Sequence, residues 1–82
     1  MEEELHTTVI RLGCINAPSC SVFFEPEGAE HILREGDVFT VEISGALPGH
    51  VEISFVPDGI IVGAWNRATT RVHNLKGEEL TT

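Results

Sequence analysis

A period of two between apolar and polar residues limits this chain to a β fold. In "DVFTVEIS", Phe39, Val41 and Ile43 alternate with polar residues, and "HVEISFVP" repeats the pattern from Val51 to Phe55. Side chains of a β-strand point alternately to opposite faces, so this spacing is typical of strands with one buried and one wet face. We therefore predict half-buried strands in both segments.

Turn residues divide these strands from their neighbours. The sequence "GALPG" lies between the two segments, and Pro57–Gly59 separates the second segment from "IIVGAW". Proline and aspartate favour the first positions of a tight turn, and glycine accepts a positive φ. We predict a type I turn with a G1 bulge at Pro57–Gly59, and a meander of three strands over residues 38–65.

Weaker strand patterns occur on either side of the meander. They cover residues 5–12, 21–26 and 69–75, with a bridge at 31–33 and a short return strand within 76–80. About six short strands separated by frequent turns are typical of an antiparallel β-sandwich or barrel. We predict an all-β fold, with residues 1–82 forming one domain and the acidic residues 1–4 flexible. Its largest side chains are expected to come from Trp65, Phe23, Phe24, Phe39 and Phe55.

The charge of the chain disfavours several classes of partner. Thirteen acidic and five basic residues give a net charge of −8. This charge repels phosphate backbones and anionic membranes, so neither nucleic acid nor a membrane is expected as a partner. No apolar run approaches the roughly 18 residues that span a bilayer, and the N-terminus lacks the pattern of a signal peptide. We expect a cytoplasmic protein.

Two cysteines, Cys14 and Cys20, flank the sequence "INAPS". If the strands on either side formed a hairpin, the two residues would face each other at a distance that allows a disulfide. In a reducing cytosol we instead expect free, partly buried thiols, with a disulfide as the second alternative. A metal site is the third, and it would need a histidine such as His31 from another strand.

The segment "AWNRATTRVHN" is the strongest candidate for a binding face. It contains Trp65, Asn66, Arg67, Arg71 and His73 within a few residues. Tryptophan and arginine are the residues most enriched at binding hot spots, and arginine forks suit carboxylates. A core tryptophan followed by a polar loop is the alternative interpretation. A binding face here would suit an acidic peptide.

A second copy of the chain is the other partner that this face would suit. The acidic residues between Glu25 and Asp37 form a segment of opposite charge to Arg67 and Arg71. No catalytic motif, glycine-rich phosphate loop or nucleophile elbow is present. We therefore predict a non-enzymatic domain without cofactor that binds a protein or an acidic peptide, with self-association as one form of this function. A small metal- or ligand-binding domain is the alternative.

Overall fold

The computed structural model describes residues 5–82 and contains, within them, eight β-strands and no helix. The strands form two small sheets that pack face to face, which confirms the predicted all-β sandwich. The flexible segment predicted at 1–4 lies outside the described residues. The strands are β1 (His6–Gly13), β2 (Ser19–Glu25), β3 (Ala29–Arg34), β4 (Val38–Gly45), β5 (Glu52–Val56), β6 (Gly59–Gly63), β7 (Thr69–His73) and β8 (Glu79–Leu80).

Each sheet has four strands. The first sheet has the order β1-β4-β7-β8 and is antiparallel throughout. The second sheet has the order β3-β2-β6-β5, with two antiparallel hairpins, β2–β3 and β5–β6. Its central strands β2 and β6 run parallel, with Ser21 beside Gly59 and Glu25 beside Gly63. The prediction of a purely antiparallel fold is therefore wrong at this one pair.

The predicted meander over 38–65 is also wrong, although its last hairpin is correct. Strand β4 lies in the first sheet, whereas β5 and β6 lie in the second. The loop that begins with "GALPG" crosses between the sheets and does not form a hairpin turn. Strands β5 and β6 do pair through the turn at Pro57 and Asp58. A G1 bulge requires a glycine with a positive φ. Gly28, Gly36 and Gly77 have a positive φ but Gly59 does not, so the bulge predicted at Gly59 is wrong.

The core lies between the two sheets and is built from alternate residues of their strands. Strand β4 shows the predicted pattern, because Phe39, Val41 and Ile43 are all buried. Phe24 on β2 is fully buried opposite them. The buried apolar residues are Cys14, Val22, Phe24, Leu33, Phe39, Val41, Ile43, Val62 and Val72. Burying these side chains is the main source of stability for so small a domain.

Candidate binding surface

Trp65 belongs to the framework of the fold. Its ring is half-buried, packs against the core, and donates a hydrogen bond from Nε1 to the backbone oxygen of Leu47 at 3.0 Å. A methyl group at Gly49 would overlap the indole ring, and one at Gly45 would lie 2.9 Å from Nε1. The two glycines therefore let the loop between β4 and β5 close over Trp65, which favours the core interpretation of this residue.

Replacing Trp65 with alanine should therefore destabilise the domain. We expect Trp65→Ala to lower the free energy of unfolding by about 3 kcal/mol, the low end for a large aromatic side chain because the ring is only half-buried. Trp65→Phe keeps part of the packing but loses the hydrogen bond, so it should cost less. Urea denaturation measures both values. Equal stability of Trp65→Ala and the wild type would place Trp65 outside the framework.

Arg67 and Arg71 line one shallow cleft on the outer face of the first sheet, together with Glu42 and Thr69. Arg71 Nη2 lies 2.8 Å from Glu79 Oε1. This hydrogen bond and the charges of the pair raise the pKa of Arg71 and lower the pKa of Glu79. The guanidinium group of Arg71 is thus already paired with a carboxylate of the same chain. The cleft is less basic than the sequence suggests.

The remaining predicted residues lie around this cleft. His73 points to the same outer face as Arg71, with Nε2 at 3.6 Å from Glu79 Oε1. Asn66 is exposed in the turn before β7, and Arg67 beside it adopts a positive φ of 67°. The structure thus brings Arg67, Arg71 and His73 to one face, but Trp65 is engaged in packing.

The acidic segment from Glu25 to Asp37 is divided by a strand. Glu25 ends β2 and Glu27 lies in the following turn, whereas Glu35 and Asp37 follow the other end of β3. Strand β3 has six residues and is therefore about 20 Å long. The carboxylates do not form one concentrated patch opposite an arginine face.

Cys14 and Cys20 are joined by a disulfide, so the prediction of free thiols is wrong. Strands β1 and β2 lie in different sheets, and the hairpin considered from the sequence does not form. The loop between them turns from one sheet to the facing one and brings the two Cα atoms to 6.1 Å. That distance falls within the range for disulfides. The bond ties the two sheets together at one end.

The alternative metal site is not assembled. His31 is half-buried between Phe24 and Phe39, at ring distances of 6.1 and 6.4 Å, and its Nε2 hydrogen-bonds the backbone oxygen of Thr81. The disulfide uses the thiolates that the site would need. Within residues 5–82, no group of three or more potential ligands is close enough to hold a metal ion.

Within residues 5–82, the most exposed apolar side chain inside a strand is Phe55 on β5. Phe55 is 85% exposed and Ile53 is 41% exposed. Both point to the core-facing side, because they pair with Ile60 and Val62 of β6. Since β5 is the last strand of its sheet, its inner side extends past the cover of the facing sheet. The predicted half-burial of this strand is therefore wrong.

A cleft of about 420 Å³ lies beside Phe55. Leu12 and Ile15 line it from the end of β1 and the loop that follows, and Ile60 lines it from β6. Ile15 is 81% exposed. We call Ile53, Phe55, Ile60, Leu12 and Ile15 the edge surface. It is an apolar groove at the open side of the sandwich.

The backbone of β5 is also open to a partner. Ser21 N–H donates to Asp58 O at 3.1 Å, and Ala64 N–H donates to Glu25 O at 3.0 Å. The backbone groups of even-numbered residues of β6 thus form hydrogen bonds with β2. Because successive residues of a strand point their backbone groups to opposite sides, the odd-numbered residues form hydrogen bonds with β5. Glu52, Ser54 and Val56 are their partners. The backbone groups of Ile53 and Phe55 therefore point to the free edge.

Comparison with known proteins adds no relative. No family model, no curated protein and no solved structure matches this chain. Across residues 5–82 no helix is long and apolar enough to cross a membrane. Function is therefore inferred from the chain's own residues.

Proposed function

We propose that this chain is a non-enzymatic protein-interaction domain that binds an extended segment of a partner along β5. The observation that carries the proposal is Phe55, an aromatic side chain that is 85% exposed on the inner side of an edge strand. An added strand would bond to the free backbone groups of β5 and place alternate side chains over the apolar groove. Such edges are usually blocked by charge, proline or a bulge, and β5 has none of these at Ile53 or Phe55.

Charges near the edge surface favour a partner with basic residues. Glu52 begins β5 and Asp58 lies in the turn that ends it. Glu35 and Asp37 line a separate cleft, which adjoins the edge surface at Ile15. Complementary charges at the rim of an interface favour association and suppress wrong partners. An apolar segment flanked by lysine or arginine fits this rim better than an acidic peptide.

An acidic peptide at Arg67 and Arg71 is the second candidate function. It is favoured by the cleft that the two arginines share. Its weakness is the ion pair with Glu79, which an incoming carboxylate would have to displace from Arg71. Exposed ion pairs contribute little free energy. Breaking the pair with Glu79 would therefore cost little, and a new pair with the peptide would add little to its affinity. The edge surface offers the larger apolar contact.

The excluded partners and the cellular location remain predictions. The net charge of −8 disfavours nucleic acid and anionic membranes, as it did from the sequence alone. The Cys14–Cys20 disulfide counts against the expected cytoplasmic location, because such bonds persist in oxidising compartments. A domain that works outside the reducing cytosol agrees better with this bond.

Selection of a displayed library of random nine-residue peptides tests the edge surface. We expect enrichment of apolar sequences with flanking basic residues. Their affinity should fall about thirtyfold for Phe55→Pro, the effect of losing a hot-spot residue. Proline removes an N–H that β6 does not use, so the fold should survive, as for proline on other edge strands. Isothermal titration measures the affinity.

Ser54→Pro is the matched variant that tests the hydrogen-bond assignment. It removes an N–H that bonds to β6, so it should destabilise the domain where Phe55→Pro does not. Absence of any enriched peptide would contradict the proposed function. Peptides that bind the wild type and folded Phe55→Pro equally would move the binding surface away from β5.

A further inference from the structure

We propose that the segment which docks on β5 is the β5 strand of a second copy of this chain, paired antiparallel with Ser54 on the two-fold axis. This inference rests on the proposed function and names its partner, which is chosen for its match to the backbone and apolar side chains of β5 although its flanks carry Glu52 and Asp58 in place of basic residues. Two-fold dimers are the commonest protein assemblies, and their interfaces must be self-complementary. The sequence of β5, Glu52–Val56, meets that requirement when Ser54 lies on the axis.

The backbone favours this register over its neighbours towards Phe55. With Ser54 opposite its counterpart, Ile53 faces Phe55 of the second copy, and Phe55 faces Ile53. These are the two residues whose N–H and C=O groups point to the free edge, so each pair would exchange two hydrogen bonds. Shifting the axis to Phe55 would place Ile53 opposite Pro57, which has no N–H to donate. Shifting the axis by half a residue would place free groups opposite groups already bonded to β6.

The side chains agree with the same register. On the inner side, it makes two cross-strand pairs of isoleucine with phenylalanine, and pairs of aromatic with β-branched residues stabilise sheets. Both members are exposed in the single chain, Ile53 by 41% and Phe55 by 85%. The incoming Ile53 would lie beside Phe55, at the mouth of the cleft lined by Leu12 and Ile15. The pairing would thus cover the exposed sides of Ile53 and Phe55.

The charges along β5 are complementary in this register. Glu52 comes opposite Val56, so the two Glu52 carboxylates do not meet. His50, two residues before the strand, comes level with Asp58 in the turn of the second copy. The imidazole can donate to that carboxylate at both ends of the interface. The register therefore separates the two Glu52 carboxylates and adds an oppositely charged pair at each end, which favours specific pairing.

Engineered cysteines test the two-fold axis. Ser54→Cys would place two thiols on directly opposed residues with Cα atoms about 4.5 Å apart, within disulfide range. The control is Glu52→Cys on the same strand and face, whose two copies would lie about 14 Å apart along the paired strands. With a mild oxidant, we expect Ser54→Cys to give a covalent dimer on denaturing, non-reducing mass spectrometry and Glu52→Cys to remain monomeric.

Sedimentation equilibrium of the wild type and Phe55→Pro tests the interface without new cysteines. We expect a reversible wild-type dimer whose dissociation constant rises about thirtyfold in Phe55→Pro. Raising the salt from about 0.05 M to about 0.5 M should tighten the dimer, because it screens repulsion between chains of charge −8. A dimer held by Arg67 and Arg71 against acidic residues would weaken instead.

Each other outcome overturns part of the proposal. A wild-type monomer with no cross-link at Ser54→Cys refutes the second copy. The proposed function then stands if selected peptides still bind β5, and it fails if they do not. A dimer that survives Phe55→Pro, or that cross-links equally through Glu52→Cys, places the interface on another surface.

Discussion

Phe24→Ala is expected to lower the free energy of unfolding by about 3–5 kcal/mol. Phe24 is fully buried on β2, between the two sheets. Its loss would remove apolar burial and leave a cavity that the surrounding strands cannot fill. A domain of this length has a total stability of only about 4–12 kcal/mol, so a large share would be lost. Urea denaturation followed by Trp65 fluorescence measures the change.

Phe55→Ala is the matched control, because it removes the same side chain from an exposed site. Phe55 is 85% exposed, and a surface substitution of this kind is expected to change stability by less than about 0.5 kcal/mol. A loss as large as that of Phe24→Ala would show that Phe55 is buried in solution. The edge surface would then be part of the core, and the docking proposals would fail with it.

Gly59→Ala should have the second large effect, a loss of about 3 kcal/mol or more. A methyl group at Gly59 would overlap the backbone oxygen of Ser21 on the neighbouring strand. Because the obstacle is backbone, no side-chain rotation can relieve it, and β2 and β6 must separate. That separation would break the parallel pair at the centre of the second sheet. Chemical denaturation should show the lower midpoint.

Gly13→Ala is the corresponding control at a glycine with free space. Gly13 ends β1, a methyl group there meets nothing within 4 Å, and its φ is not positive. Its replacement should change stability by less than about 1 kcal/mol. If both glycine variants were equally stable, the close approach of β6 to Ser21 would not exist in solution.

The alternation of residues predicted strands reliably but not their burial. Strands β4 and β5 have the same apolar and polar pattern, yet Phe39 is 4% exposed and Phe55 is 85% exposed. The difference arises because β4 is covered on its inner face by the second sheet, whereas β5 is an edge strand. Position within a sheet depends on pairing between distant segments. A local pattern contains no information about that pairing.

Turn residues likewise predicted where the chain bends but not to which sheet it goes. Pro57–Asp58 was correctly assigned to a hairpin. "GALPG" and "INAPS" contain similar residues, but both lie in loops that cross between sheets. The loop around "INAPS" also brings Cys14 and Cys20 together without a hairpin. A sequence that favours a turn is compatible with either path.

The candidate site was the part least accessible from the sequence. The presence of tryptophan and arginine pointed to Trp65 and Arg71, but the fold uses one for packing and pairs the other with Glu79. The edge surface combines Leu12 and Ile15 with Phe55, which are about forty positions apart in the chain. Only the three-dimensional fold, which places the end of β1 and the following loop at one cleft with β5 and β6, brings them together.

The parallel pairing of β2 with β6 has a consequence for how the chain folds. It joins residues 21–25 to residues 59–63, so the second sheet cannot close until two distant parts of the chain have met. The β2–β3 and β5–β6 hairpins are local and can form first. Domains dominated by such distant contacts fold in milliseconds to seconds, far slower than helical bundles of equal size. During that interval β6 is not yet paired with β2, so the β5–β6 hairpin exposes a free edge on both sides. Free edges promote aggregation between chains. Refolding at lower protein concentration should therefore give a higher yield.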